Sequence, residues 1–242
     1  MDPAASLRIG CLVMAAGNAS RFGANKLAAE LDGRTLIERA LDAVPKGMFA
    51  AVCVASQYEG IEELAGKYGF AAIHNAHPDW GLSYTIRLGT QAMRACDGIL
   101  YLVADQPLLR RDSVQRIAEA WLRTPEKIAG ASHEGRRGNP NLFPARFFPE
   151  LLALEGDCGG NLVIKRHTED YLPVELAPEE LRDCDTPQEL AALRRDAGQA
   201  AQPGAAQQVD EEGLDRVVGM VGDRHHRVAV FAAQGVEPCV AQ

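Results

Sequence analysis

A doubly wound, mostly parallel α/β sheet with a C-terminal extension is the fold this sequence predicts, and three observations predict it. Short apolar runs alternate with stretches of helical spacing along residues 9–195. That alternation calls for parallel pairing with crossover helices. The first apolar run ends in a loop of small residues followed by Lys26, and the most β-like run ends in Asp105. Ligands on such sheets bind at the carboxyl ends of the strands, so both features mark one functional edge.

The elements follow in order. Residues 9–14 read as a buried strand, and residues 36–44 carry helical spacing that Pro45 stops. Residues 50–55 form a second strand, residues 60–68 a helix closed by Gly69, and residues 70–73 a third strand. A loop from His74 becomes a helix near Ser83, with Ile86, Leu88 (or Gly89) and Met93 as its apolar positions, and Ser83 reads either as its plain cap or as a ligand donor. Residues 98–104 form the central strand, and Asp112 or Ser113 caps a helix through Trp121. Beyond lie a strand at 127–132, a turn and strand from Gly135, helices at 147–154 and 162–166, and a strand at 170–174. Asp185-Thr186-Pro187 reads as a helix start, with proline at the first helical position. Residues 1–196 are therefore expected as one domain, 197–209 as a low-complexity linker and 210–242 as a tail too short for its own core.

Composition narrows the function. The chain has 242 residues, 47% hydrophobic, enough for one full core. Its formal net charge of −8 argues against a nucleic-acid surface, which needs a basic face, and suits a small anion held locally. The six cysteines show no C-x-x-C spacing, so reduced thiols are expected. The N-terminus lacks a basic and apolar leader pattern, and no stretch is long and apolar enough to span a membrane; a cytoplasmic location is expected. His74 and His77 are expected to be loop or packing residues rather than metal ligands, and His225-His226 and Arg110-Arg111 solvated pairs.

The chemistry concentrates in a few places. Small residues at Ala15, Ala16 and Gly17 let backbone N–H groups approach phosphate oxygens, while Arg21 and Lys26 add fixed positive charge. The string fits neither G-x-x-x-x-G-K-[ST] nor G-x-G-x-x-G. The start of the helix near Ser83 and Thr85 offers N–H groups and hydroxyls, and Gly159-Gly160 opens another helix. A carboxylate at the end of a central strand is costly unless paired or bound to metal, and Asp185 can join Asp105 as a second Mg²⁺ carboxylate. Neither a nucleophilic side chain nor a general base is needed if the acceptor is a phosphate, which is ionised already.

Six strings then resemble, in order, the molybdenum cofactor cytidylyltransferase family, within the nucleotidyltransferases of Rossmann-like fold. They are A-A-G-N-A-S-R-F-G-A-N-K-L, N-x-x-x-x-x-G-L-S-x-T-I-R, A-D-Q-P-L, R-G-N-P-x-L-F, G-D-C-G-G-N and D-C-D-T-P-Q-E-L, together covering residues 8–195. The resemblance implies Mg²⁺-dependent joining of CTP to molybdenum-loaded molybdopterin, with release of pyrophosphate. The cytosine dinucleotide product would go to a molybdenum hydroxylase, of xanthine dehydrogenase-like or aldehyde oxidoreductase-like type. It implies Asp105 and Asp185 as metal carboxylates, Asp105 also touching nucleotide, and Arg21 and Lys26 as catalytic, phosphate-binding cations. Ala15, Ala16, Gly17, Gly81 and Thr85 would contact nucleotide. Asn139, Pro140, Gly159 and Gly160 would face the acceptor within an insertion at about residues 133–170. Guanylyltransferase relatives usually have Gly-Gly where this chain has Ala16-Gly17, so the added methyl favours CTP over GTP. The chain departs from the family at Asn139, often histidine, and at Cys158, often basic. A sugar or polyol phosphate acceptor, and a chaperone that delivers finished cofactor, are the alternative functions.

Overall fold

The computed structural model describes residues 7–17 and 25–200 of the chain. Strands β1 (Ile9–Ala15), β4 (Ala51–Ser56), β5 (Ala71–His74), β6 (Gly98–Val103), β7 (Ile128–His133), β8 (Arg136–Pro144) and β9 (Tyr171–Glu175) form one sheet in the order β5-β4-β1-β6-β8-β7-β9. β2 (Glu30–Leu31) and β3 (Arg34–Thr35) form a small separate hairpin. Only β8 runs against its neighbours, so the sheet is mostly parallel as expected. The reversal arises at Glu134-Gly135, where φ is 47° and 76°. Two consecutive positive φ values in a two-residue connection make the tight hairpin that sends β8 back between β6 and β7.

The sheet divides two cores, and strand alternation decides which residue enters each. Cys11, Val13 and Ala15 point to one face, with Leu100 and Leu102. That face is covered by α1 (Leu36–Asp42), α2 (Glu59–Lys67), α4 (Arg111–Arg123) and α7 (Pro187–Ala200), through Leu41, Ile61, Trp121 and Leu193. Leu12 and Met14 point to the other, with Ile99 and Tyr101. That face is covered by α3 (Leu82–Ala92), α5 (Phe148–Leu152) and α6 (Asn161–Arg166), through Ile86, Leu151 and Ile164. α3 lies so near β1 that a side chain at Gly89 would collide with Leu12.

Several local expectations need correction. Gly81, not Ser83, caps α3, and the Ser83 hydroxyl is buried without a hydrogen-bond partner among the described residues. Neither Asp112 nor Ser113 caps α4; its first turn is met from a distance by Glu180, which accepts from the Arg110 N–H at 2.9 Å. Arg110 and Arg111 are exposed as expected, though the Arg110 guanidinium also donates to Glu180 at 2.8 Å. Arg111 donates to the Asp42 carbonyl at 2.9 Å. α7 runs to Ala200, four residues into the stretch read as linker. The remaining linker, the tail and His225-His226 lie outside the described residues. Cys11, Cys53, Cys96 and Cys184 are buried free thiols, and Cys158 is a partly exposed one. Burial pushes the Cys53 thiol up to about 11, and Cys53 itself raises Cys11 further on top of burial, which leaves both inert at neutral pH.

Candidate active site

The sheet order reverses at β1, from which neighbours run outward on both sides. In an open α/β sheet this switch point opens a crevice at the carboxyl ends of the strands. The exit from β1 is held by its neighbours. Ser56 Oγ donates to the Ala15 carbonyl at 3.3 Å, Gln57 Nε2 to the Ala16 carbonyl at 3.0 Å, and the Ala104 N–H to the Met14 carbonyl at 3.1 Å. These clamps, invisible to motif reading, bring Ala16 and Gly17 to the rim. Residues 18–24, Arg21 among them, lie outside the described residues.

The chain re-enters at Asn25, whose side chain accepts from the Leu27 N–H at 3.1 Å and caps a short 3-10 turn, Lys26–Ala28. Leu27 is buried, so the turn is anchored and Lys26 faces back toward the strand ends. Its Nζ donates to Asp105 Oδ2 at 2.9 Å and to Asp185 Oδ1 at 2.6 Å. Two aspartates 80 positions apart in sequence, 105 and 185, thus converge on one nitrogen. Partial burial disfavours the ammonium, but the two carboxylates outweigh it and hold the Lys26 pKa above its ordinary value.

Backbone contacts fix the two acids. The Cys184 N–H donates to the Asp105 carbonyl at 2.8 Å, which ties the strand end to the start of α7. Thr186 is the cap of that helix: its hydroxyl accepts from the Glu189 N–H at 3.2 Å. Glu189 accepts in return from the N–H groups of Asp185 and Thr186 at 2.7 and 2.8 Å. This reciprocal box satisfies the helix start and leaves the Asp185 side chain for the crevice. A third acid, Asp183, accepts from Gln106 Nε2 at 3.0 Å. Its outer face is exposed, yet crowding protein atoms and the adjacent Asp105 charge raise its pKa.

α3 supplies the opposite wall. Gly81 has φ +84°, and a Cβ there would lie 2.5 Å from the Gly156 carbonyl oxygen. The segment around Gly156 latches onto the helix start: Asp157 Oδ1 accepts from the Leu82 N–H at 3.3 Å and the Gly156 carbonyl from the Ser83 N–H at 3.3 Å. Thr85 is buried and accepts from Asn75 Nδ2 at 3.0 Å. His77 is a packing residue, stacked on Trp80 at 3.9 Å, and His74 pairs with Glu62 at 2.6 Å.

These walls enclose a cavity of about 550 Å³. Ala16, Gly17, Lys26, Gly81, Thr85, Asp105 and Asp185 all line it, from five separate stretches of sequence. Ala15 does not; it is fully buried in the core beneath. Asp79 and Asp157 line it unforeseen by the sequence reading, as do apolar Met14, Leu82 and Val103. Asn139, Pro140, Gly159 and Gly160 are not in its walls. Asn139 Oδ1 accepts from Asn141 Nδ2 at 3.0 Å, and the Asn139–Pro140 bond is cis. Gly159 and Gly160 pack against Leu82 and Phe143, where a Cβ would lie 3.1 and 2.8 Å away.

The donor set fits a hard divalent cation. Asp105 and Asp185 present oxygens to one cationic point beside a polar cavity, and Mg²⁺ commonly takes one or two carboxylates with phosphate and water. A different trio of potential ligands, His167, Glu169 and Asp170, lines no part of this cavity, and Asp170 is already paired with Arg146 at 2.9 Å.

Comparison with known proteins identifies the family and the fold. The model of the MobA-like NTP transferase domain matches residues 11–171. The purine catabolism protein PucB of Bacillus subtilis is 28% identical over 195 residues, which cover 75% of this chain and 94% of PucB. A nucleotidyl transferase of Methanothermobacter shares the fold with a TM-score of 0.65 at 22% identity, over 80% of this chain and 99% of that one. The 4-diphosphocytidyl-2C-methyl-D-erythritol synthase of Anaerococcus prevotii does so with a TM-score of 0.66 at 12% identity, over 79% and 96%. The match spans well over half of the chain, and the protein belongs to the MobA-like NTP transferase family, as a nucleotidyltransferase.

Proposed function

We propose that the protein transfers CMP from CTP to the phosphate of molybdenum-loaded molybdopterin, giving the cytosine dinucleotide form of the cofactor and pyrophosphate. The observation that carries this reading is the meeting of Lys26 with Asp105 and Asp185 beside Ala16 and Gly17 in one cavity at the switch point. An acceptor phosphate oxygen attacks the α-phosphorus, the α–β bridge breaks, and pyrophosphate leaves with the electron pair. Ala16, Gly17 and Lys26, joined by Arg21, cradle the triphosphate, and Gly81 and Thr85 flank the nucleoside. Asp105 and Asp185 hold Mg²⁺, which when bound offsets the charge that builds on the phosphates.

The choice of CTP rests on Ala16, whose methyl at the rim narrows the space for a base, and is supported by a cytidylyl product in the name of one relative of the same fold. The acceptor rests on the six motifs and on the purine catabolism relative, whose name suits delivery to a purine-oxidising molybdenum hydroxylase. Asn139, Pro140, Gly159 and Gly160 are proposed to meet the pterin outside the nucleotide cavity, with Asp157 linking that segment to α3. Pyrophosphate release tested with each of the four NTPs, Mg²⁺ and molybdenum-loaded molybdopterin decides the matter. Release is expected with CTP, with GTP far behind. Release with CTP and a sugar or polyol phosphate, but not with the pterin, would overturn the acceptor. No release beside tight pterin binding would point instead to a carrier.

A further inference from the structure

The nitrogen of Lys26 stands where a metal shared by Asp105 and Asp185 would have to stand. It lies 2.9 Å from Asp105 Oδ2 and 2.6 Å from Asp185 Oδ1, and its side chain is only 13% exposed. All three residues line the cavity. A divalent ion holds carboxylate oxygens at about 2.1 Å if it is Mg²⁺, so ammonium and ion cannot share the place. Nor would two cations tolerate that proximity in a half-buried site. The lysine therefore has to leave before an ion enters, and a largely buried ammonium leaves far more readily when another anion meets it. The cavity that Lys26 lines is also walled by Ala16 and Gly17, the stretch read above as the phosphate cradle.

We propose that Lys26 is the resting counter-ion of the Asp105–Asp185 pair, and that nucleotide phosphate draws it away so that the divalent cation can bind. This rests on the nucleotide and metal reading given above and adds an order to it. Without nucleotide the acids are already neutralised, and free metal competes against a tethered cation. With nucleotide, Lys26 exchanges one set of anionic oxygens for another and the acids become available. The same coupling acts in reverse, since metal bound at the acids frees Lys26 for phosphate.

The test is Mn²⁺ binding to the nucleotide-free protein, followed by the electron paramagnetic resonance of free Mn²⁺, so that no turnover is involved. Lys26→Met is expected to bind Mn²⁺ about tenfold more tightly than the wild type, within the ordinary range of coupling between sites. Equal affinity would overturn the proposal. In the wild type, amine acylation of Lys26 read by mass spectrometry is expected to rise as Mg²⁺ saturates the nucleotide-free protein. Labelling that stays flat through saturation would overturn the proposal even if the variant failed to fold. Adding Asp105→Asn to Lys26→Met is expected to abolish the gained affinity. If it does not, the carboxylates are not the ligands, and the metal reading fails along with the exchange.

Discussion

Glu180 shows how a single carboxylate can be both well buried and cheap to keep. Its side chain is 1% exposed, yet it accepts from the Arg110 backbone and guanidinium at 2.9 and 2.8 Å. Burial opposes its ionisation, but those hydrogen bonds prevail and hold its pKa below the ordinary carboxyl value. A depressed folded-state pKa stabilises the protein above the unfolded value and loses that contribution as pH falls through the folded one. Glu180→Gln is expected to cost about 1.5–3 kcal/mol at pH 7, the usual worth of hydrogen bonds to a charged group. In denaturant titrations the gap between variant and wild type should close as pH drops below about 4. A gap that stays constant from pH 7 to pH 3 would show that the charge of Glu180 is irrelevant. The same residue shows what a local reading leaves out: Arg110-Arg111 is exposed as expected, but a partner 70 positions away leaves no local pattern.

At the scale of elements, the site depends on how helix starts are satisfied. α7 is closed locally by the Thr186–Glu189 box, and this is legible because all its parts lie within four residues. α3 is closed from outside by Gly156 and Asp157, so Ser83 looks like a cap in sequence and is none in structure. Gly81 carries this arrangement, with a positive φ and the Gly156 backbone directly over its Cα. Gly81→Ala should destabilise the protein by about 2 kcal/mol, from backbone strain before any steric contact is counted. For a chain of this size that lowers Tm by about 4–8 °C. An unchanged Tm in differential scanning calorimetry would mean that the segment around Gly156 yields without cost. Strand and helix positions, by contrast, agree with the sequence reading to within a residue or two at most ends, because period-2 and period-3.6 patterns are written locally.

Across the whole molecule, the winding of the sheet gathers residues 16, 26, 81, 85, 105 and 185 around one crevice. That they would lie together was legible from their places at strand ends and helix starts and from the family motifs that carry them. Their partners were not: Gln57 on the Ala16 carbonyl, Asn25 under Lys26 and Asp157 on α3 act through contacts that only the fold creates. The alternation at the end of β1 was hidden for a similar reason: the Ala15 side chain points into the core while the next residue meets the cavity. The pairing of Lys26 with both acids was equally hidden, as it joins three distant segments. No helix among the described residues is long and apolar enough to cross a membrane.

The central claim is that Asp105 and Asp185 serve the chemical step together, in a site whose nucleotide contacts are made mainly elsewhere. Single-turnover pyrophosphate release by Asp105→Asn and Asp185→Asn, with CTP binding measured in parallel, tests it most directly. Each substitution should slow release by at least about 100-fold, as expected when charge stabilisation in a preorganised site is removed, and leave the fold intact. Release at the wild-type rate from either variant would contradict the account.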